Sequence, residues 1–214
     1  PSNYRASRHL DQWLKARGIV GLSGIDTRAL TARIRSKGMP NAVIAHAQDG
    51  RFDLDALKKE AREWPGLVGM DLVPMVTSGQ RFTWDETPWV WDQGFGRQDK
   101  PEFNVVAVDY GVKRNILRLL AGEGCKVTVV PASTSAEDIF GLKPDGIFLS
   151  NGPGDPAETG KYAVPVIRKI IDSGIPTFGI CLGHQMLGLA VGGKTVKMHQ
   201  GHHGANHPVK DMTT

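Results

Sequence analysis

Gly179-Ile180-Cys181-Leu182-Gly183-His184-Gln185 decides how this chain is read. The residues before it, Ile175-Pro176-Thr177-Phe178-Gly179-Ile180, read as a β-strand that runs straight into Cys181. Residues 182–191 read as a helix that begins straight after it. Glycines stand two residues before and two residues after the cysteine. This is the layout of a nucleophile elbow, a sharp strand-to-helix turn that holds a reactive side chain at the top of a sheet. The glycines let the backbone turn tightly and let helix and strand approach closely. The helix N-terminus favours a thiolate and offers backbone N–H groups to an oxyanion. A buried cysteine serving as a small hydrophobe is the ordinary alternative. That reading suits the second cysteine, Cys125, which follows Gly122-Glu123-Gly124 and opens an apolar strand.

Outward from the elbow, the second half of the sequence alternates between strand and helix patterns. Residues 103–108 read as a buried strand, 112–120 as a helix, 126–130 as a strand and 135–140 as a short helix capped by Ser135. A strand at 146–149 leads into Ser150-Asn151-Gly152-Pro153-Gly154-Asp155. Helix at 162–172, the strand before Cys181, the helix after it and a strand at 194–198 complete the series. Such alternation predicts an α/β fold, a parallel sheet with helices on both faces. Ligands of such sheets sit beyond the carboxyl ends of the strands, where both Cys181 and the Asn151 loop fall. The loop Gly152-Pro153-Gly154 is not a phosphate loop, because no Gly-x-x-x-x-Gly-Lys pattern is present. No nucleotide site is therefore expected in this chain.

The first half is organised differently. A helix is expected over residues 4–16, with Leu10, Trp13 and Leu14 on one stripe and Gly18 as its stop. Residues 19–24 form a short strand or an extended connector. Asp26 is a candidate N-cap, Ile25 and Leu30 have the spacing of a hydrophobic staple, and Gly38 ends the helix between them. Residues 41–47 read as a strand and 53–63 as a second capped helix. From Met75 to Lys100 the helical period disappears, and Trp84, Trp89 and Trp91 stand among turn residues. Gly94-Phe95-Gly96-Arg97-Gln98-Asp99-Lys100-Pro101 reads as an interdomain linker. The expected division is residues 1–92 as part of a smaller α/β N-terminal domain, 93–102 as linker, and 103–214 as part of a second domain.

Composition narrows the class. A length of 214 residues holds one large domain or two small ones, and 40% hydrophobic content is that of a globular protein. No apolar run is long enough to span a bilayer. Two cysteines in dissimilar contexts suggest no disulfide framework, which favours a reducing, cytoplasmic setting. A net charge of +4 spread over this length fits a solvated surface better than a nucleic-acid footprint. The basic helix with Arg28, Arg33, Arg35 and Lys37 leaves a nucleic-acid-binding module open as a distant alternative. His199, His202, His203 and His207 match no zinc spacing and have no accompanying cysteine or carboxylate cluster, so no metal is expected.

The elbow Gly179-Ile180-Cys181-Leu182-Gly183-His184-Gln185 and the stretch Leu149-Ser150-Asn151-Gly152-Pro153-Gly154-Asp155-Pro156 resemble the nucleophile motif and the oxyanion loop of the class I, triad-type glutamine amidotransferases. Three further segments narrow the resemblance to the small, glutamine-hydrolysing subunits of carbamoyl-phosphate synthetases. They are Gly24-Ile25-Asp26-Thr27-Arg28-Ala29-Leu30, Gly66-Leu67-Val68-Gly69-Met70-Asp71, and Gly201 through Asp211. The resemblance covers essentially the whole chain. It implies Cys181 as the nucleophile that forms a thioester, Gly154 and Leu182 at the oxyanion, and Gly152, Leu182 and Gln185 in contact with substrate glutamine. It implies a synthetase large subunit as partner, which receives ammonia and carries ATP and magnesium, so no cofactor is expected on this chain. The product, carbamoyl phosphate, serves arginine and pyrimidine synthesis.

The family's Gln-Asn-His-Gly-Phe stretch and its His-x-Glu pair are not found in these 214 residues, nor is the family's N-terminal start. The expectation is a fragment of a longer subunit, carrying half of an active site and hydrolysing little glutamine alone. Another class I amidotransferase, or a cysteine hydrolase with a different substrate, is the alternative reading.

Overall fold

A computed structural model describes residue 6, residues 8–201 and residues 210–213. The chain divides into two compact units, Pro1–Gly66 with Lys197–Thr214, and Leu67–Val196.

The second unit holds the sheet. Its strands are β1 (Phe82–Trp84), β4 (Phe103–Asp109), β5 (Cys125–Pro131), β6 (Gly146–Leu149) and β7 (Thr177–Gly179), in spatial order β1-β5-β4-β6-β7. A separate two-stranded sheet pairs β2 (Glu86–Val90) with β3 (Gly94–Arg97). Strands β4 to β7 are mutually parallel, and β1 alone runs antiparallel, against β5. The parallel strands read as unbroken apolar runs because both of their faces are covered. Along β4, Val106 and Val108 enter one core with Ile147 and Leu149, while Ala107 enters the other with Val127, Val129 and Phe148. The helices α5 (Ala136–Gly141), α6 (Pro156–Asp172) and α7 (Leu182–Ala190) supply Ile139, Ile167, Ile170, Leu182 and Met186 to the first core. Helix α4 (Arg114–Gly122) supplies Leu117 to the second. The expected α/β fold, a largely parallel sheet with helices on both faces, is therefore observed.

Local chemistry explains most boundaries. Ser135 Oγ accepts from Asp138 N at 3.1 Å and opens α5. Helix α6 starts six residues earlier than the periodicity of 162–172 indicates. Asp155 caps it, with Oδ1 accepting from Ala157 N at 2.9 Å, and Pro156 occupies the first turn, where no N–H is needed. Thr159 and Gly160 hid this turn because they are small. Both are buried, and a side-chain carbon at Gly160 would lie 3.3 Å from Leu189 on α7.

The stretch read as a linker is not one. Its residues 94–97 form β3, and β2 beside it packs on α4: a Cβ at Gly122 would meet Pro88 Cδ at 2.8 Å. Arg118 of α4 binds Glu86 Oε1 at 2.6 Å and stacks over Phe95 at 4.3 Å. Residues 67–92, expected with the N-terminal domain, likewise fall in the unit of the sheet, since β1 joins its edge.

In the first unit, α1 (Leu10–Lys15), α2 (Thr27–Lys37) and α3 (Leu54–Glu63) carry no fully buried residue. The Asp26 cap is as expected: its Oδ1 accepts from Ala29 N at 2.9 Å, and Gly38 closes the helix at φ 86°. Asp53 caps α3 in the same way. The helix expected from residue 4 starts at Leu10, and Tyr4 lies outside the described residues. Residues 19–24 form no strand and connect α1 to α2. The strands expected at 41–47 and 194–198 do not form, because neither segment has a ladder partner among the described residues.

Candidate functional site

Strand β7 ends at Gly179 and α7 begins at Leu182, so Cys181 stands at the corner as the helix N-cap. Its backbone is at φ 54° and ψ −111°. Positive φ in a residue with a Cβ costs on the order of 1–3 kcal/mol and persists only where the surroundings enforce it. Here they are two glycines and a neighbouring strand. A Cβ on Gly179 would lie 2.6 Å from the carbonyl carbon of Gly183 and 2.7 Å from His184 N. A Cβ on Gly183 would run into the Leu149 carbonyl oxygen at the end of β6. Ile180 N donates to Leu149 O at 3.1 Å, and Gly183 N donates to Ser150 O at 3.0 Å. The corner is thus stitched to the strand from which the next loop departs, and the Cys181 side chain is left exposed.

That loop, residues 150–155, is walled on two sides. On one side a Cβ at Gly152 would collide with the Tyr110 carbonyl oxygen and come within 2.9 Å of Leu182 Cδ2. Ser150 Oγ accepts from Tyr110 N at 2.8 Å and donates to Asn151 O at 2.8 Å. Asn151 Nδ2 donates to Gly111 O at 2.9 Å, and its Oδ1 accepts from Lys113 N at 3.0 Å. The turn they hold is itself fixed by Asp109, only 5% exposed, whose carboxylate accepts from the amides of Ser78, Gly111 and Val112.

On the other side, Gly154 is at φ 97°, and a Cβ there would meet Met70 O at 2.7 Å and Leu72 N at 3.0 Å. Asp155 N donates to Met70 O at 2.8 Å, and Gly69 N donates back to Asp155 Oδ2 at 2.8 Å. Asp71 accepts from Thr159 Oγ1 at 3.0 Å and faces the Tyr162 hydroxyl at 3.4 Å. Burial and then the Asp71 charge push the Tyr162 hydroxyl up to about 12, so it stays protonated beside that carboxylate.

The structure brings Gly152 and Leu182 into contact and sets Gln185 one helical turn beyond Cys181, with Gln185 N donating to Cys181 O at 3.0 Å. Gln185 is exposed, so its side chain is free to reach a ligand on the Cys181 side of α7. Leu182 N–H, in the first turn, has no intrahelical acceptor and is available to an anion at the corner. Gly154 comes by its own tether to residues 69–72. Asp155, Asp71 and Asp109, which fix the loop and its walls, were not singled out from the sequence. Asp155-Pro156, an N-cap followed by a first-turn proline, is the signal that marks the first of them.

Cys125, by contrast, is 8% exposed in the core beside α4, and burial, with the nearby Glu123 charge, pushes its thiol up. Among the described residues no hydrogen bond joins Cys181 Sγ to a histidine; His184 is exposed on α7. His199 lies in the first unit, its ring against Gly38. His202, His203 and His207 lie outside the described residues. No helix among the described residues is long and apolar enough to cross a membrane.

Residues 106–214 match the family model for glutamine amidotransferase class-I, and residues 1–44 match that for the carbamoyl-phosphate synthase small chain, CPSase domain. The whole chain is 85% identical to the carbamoyl phosphate synthase small chain of Bradyrhizobium diazoefficiens, over 54% of that protein's length. It is 73% identical to the small chain of Mesorhizobium japonicum and 71% identical to that of Agrobacterium fabrum, each over the whole of this chain and 54% of the relative. The chain spans about half the length of the curated relatives it matches.

Proposed function

This chain belongs to the class-I glutamine amidotransferase family, and from that premise we propose that Cys181 is the nucleophile of a glutamine-hydrolysing site that feeds ammonia to a carbamoyl-phosphate synthase. The observation that carries the reading is the Cys181 corner: a strained, exposed cysteine, enforced by two glycines and stitched to a second glycine loop. A structural cysteine needs none of these features.

The chemistry follows from the placement. The Cys181 thiolate attacks the side-chain amide carbon of glutamine, and a C–S bond forms as the carbonyl π electrons move onto oxygen. Leu182 N–H and Gly154 N–H hold that oxyanion. Collapse breaks the C–N bond; the nitrogen takes a proton and leaves as ammonia. Water then attacks the thioester carbon, releasing glutamate and restoring the cysteine. Gly152, Leu182 and Gln185 contact the glutamine. The proton for the leaving nitrogen comes from an imidazole, which in the family belongs to a His-x-Glu stretch not found in residues 1–214.

Residues 1–44, which match the small-chain domain, point to docking on a synthetase large subunit as the role of the first unit. ATP, magnesium and bicarbonate are used on that subunit, in the cytoplasm, and this chain carries no cofactor of its own. The carbamoyl phosphate formed serves arginine and pyrimidine synthesis.

The test is ammonia release from glutamine by a full-length small chain carrying these 214 residues, with and without the large subunit. Release by the parent and its loss in Cys181→Ser support the reading. Full activity in Cys181→Ser rejects it.

A further inference from the structure

We propose that Asp155 is a positioning residue for this reaction: it locks Gly154 against residues 69–72 so that the Gly154 amide faces the oxyanion. The inference rests on the glutamine-hydrolysis reading above.

Gly154 cannot hold its own position. At φ 97° it sits in a region open to glycine, and glycine also reaches many other conformations. Its neighbour Asp155 makes the place specific. Three of its hydrogen bonds hold that residue from two directions. Oδ1 accepts from Ala157 N at 2.9 Å and ties it to the first turn of α6. Oδ2 accepts from Gly69 N at 2.8 Å, and its own amide donates to Met70 O at 2.8 Å. The last two form a reciprocal pair with the 69–70 backbone, so loop and wall are held in one register. The wall stands at contact distance: a Cβ on Gly154 would be 2.7 Å from Met70 O and 3.0 Å from Leu72 N.

The wall is anchored in turn. Asp71 accepts from Val73 N, the first residue of the 3₁₀ turn Val73–Met75, at 3.3 Å, and takes a 3.0 Å bond from Thr159 Oγ1. Thr159 is fully buried on α6, the helix that Asp155 opens. Residues 69–72 and the start of α6 thus form one closed bracket around the loop. The segment Gly66-Leu67-Val68-Gly69-Met70-Asp71, distant in sequence from Cys181, gains a function in this bracket.

Asp155 touches no reacting atom in this account, so its loss should appear in turnover and not in glutamine affinity. Deleting an oxyanion donor outright lowers kcat by roughly a hundred- to a thousandfold; misplacing one should lower it by roughly ten- to a hundredfold. The experiment compares kcat and KM for glutamine hydrolysis in the full-length small chain carrying this sequence, with the large subunit bound. Asp155→Ala should lose that factor in kcat with KM changed less than about threefold. Asp155→Asn, which keeps one acceptor oxygen, should fall between Ala and parent. Ser135→Ala removes a helix cap of the same kind at α5 and should leave kcat unchanged, which separates positioning from a general loss of stability.

A kcat within twofold of parent in Asp155→Ala overturns the proposal, as does an equal loss in Ser135→Ala. Where Asp155→Ala does not fold, Asp155→Asn decides alone: parental kcat overturns the proposal, and a reduced kcat at unchanged KM supports it. Loss of the underlying reading is recognised separately, as activity that survives Cys181→Ser.

Discussion

The Gly183 amide donates a 3.0 Å hydrogen bond to the Ser150 carbonyl, which ties the first turn of α7 to the loop leaving β6. The Cys181 corner and the loop at residues 150–155 are therefore two ends of one backbone arrangement. They are not two features that happen to lie on the same sheet edge. Leu149 and Gly179 are register partners in the ladder, so the two loops leave adjacent parallel strands at the same height.

Gly183→Ala should damage this construction directly. Its methyl group would collide with the Leu149 carbonyl oxygen, a main-chain atom within the sheet that has no rotamer to escape through. Overpacking costs about 1–3 kcal/mol, and the absence of relief puts this case at about 3 kcal/mol or more. Urea denaturation of parent and variant measures it; an unchanged midpoint would mean that helix and strand are less tightly apposed than described.

The two thiols should differ in reactivity. Cys181 is exposed at a helix N-terminus, whereas Cys125 is buried with its thiol pushed up. Brief iodoacetamide treatment of the folded protein, followed by peptide mapping, should label Cys181 roughly tenfold or more ahead of Cys125. Preferential labelling of Cys125 would remove the case for the corner.

Alkaline pH should destabilise the fold. Burial raises Cys125, Tyr110 and Tyr162, the last to about 12. Each group holds its proton more tightly folded than unfolded. The stability this contributes is complete below the unfolded values, about 8.5 for the thiol and about 10 for the phenols, and is lost as pH rises through the folded ones. Denaturation midpoints should therefore fall from about pH 9 upward. Tyr162→Phe should flatten the part of that fall above about pH 10, and a curve identical to the parent's would remove Tyr162 from the account.

Arg118 should hold the β2–β3 hairpin on α4. It is paired with Glu86 at 2.6 Å, stacks over Phe95 and is only 20% exposed at the side chain. Arg118→Ala should cost about 1–2 kcal/mol, and Arg118→Lys should recover less than half of it, because an ammonium cannot stack and bridge at once. Thermal denaturation with Trp fluorescence reads both, since Trp84 and Trp89 lie in or beside this region.

Much of this was legible in the sequence where a local rule and the tertiary environment agreed. Asp26, Asp53 and Ser135 cap helices as their spacing indicates, and the parallel strands follow their apolar runs. Cys181 was legible because a corner this tight requires glycines at fixed offsets. Four kinds of feature were hidden. Small residues at the α6–α7 contact, Thr159 and Gly160, break the apolar period although they are buried. Strands at 41–47 and 194–198 were expected from pattern alone, but a strand needs a partner that pattern does not supply. The linker expected at 93–102 has the glycines of a loop. Yet Gly96 stands in β3, where a larger residue would strike Thr87 Oγ1 at 2.7 Å. The bracket of Asp155 with residues 69–70 spans 86 positions of sequence and had no local signal at all.

The central claim is that Cys181 carries the glutamyl group. It is tested most directly by mixing the full-length small chain carrying this sequence with glutamine, quenching in acid during turnover and mapping the peptides by mass. A glutamyl adduct is expected on the peptide containing Cys181, absent from Cys181→Ser and removed by mild base as a thioester is. Turnover with the adduct on any other residue, or turnover undiminished in Cys181→Ser, would contradict it.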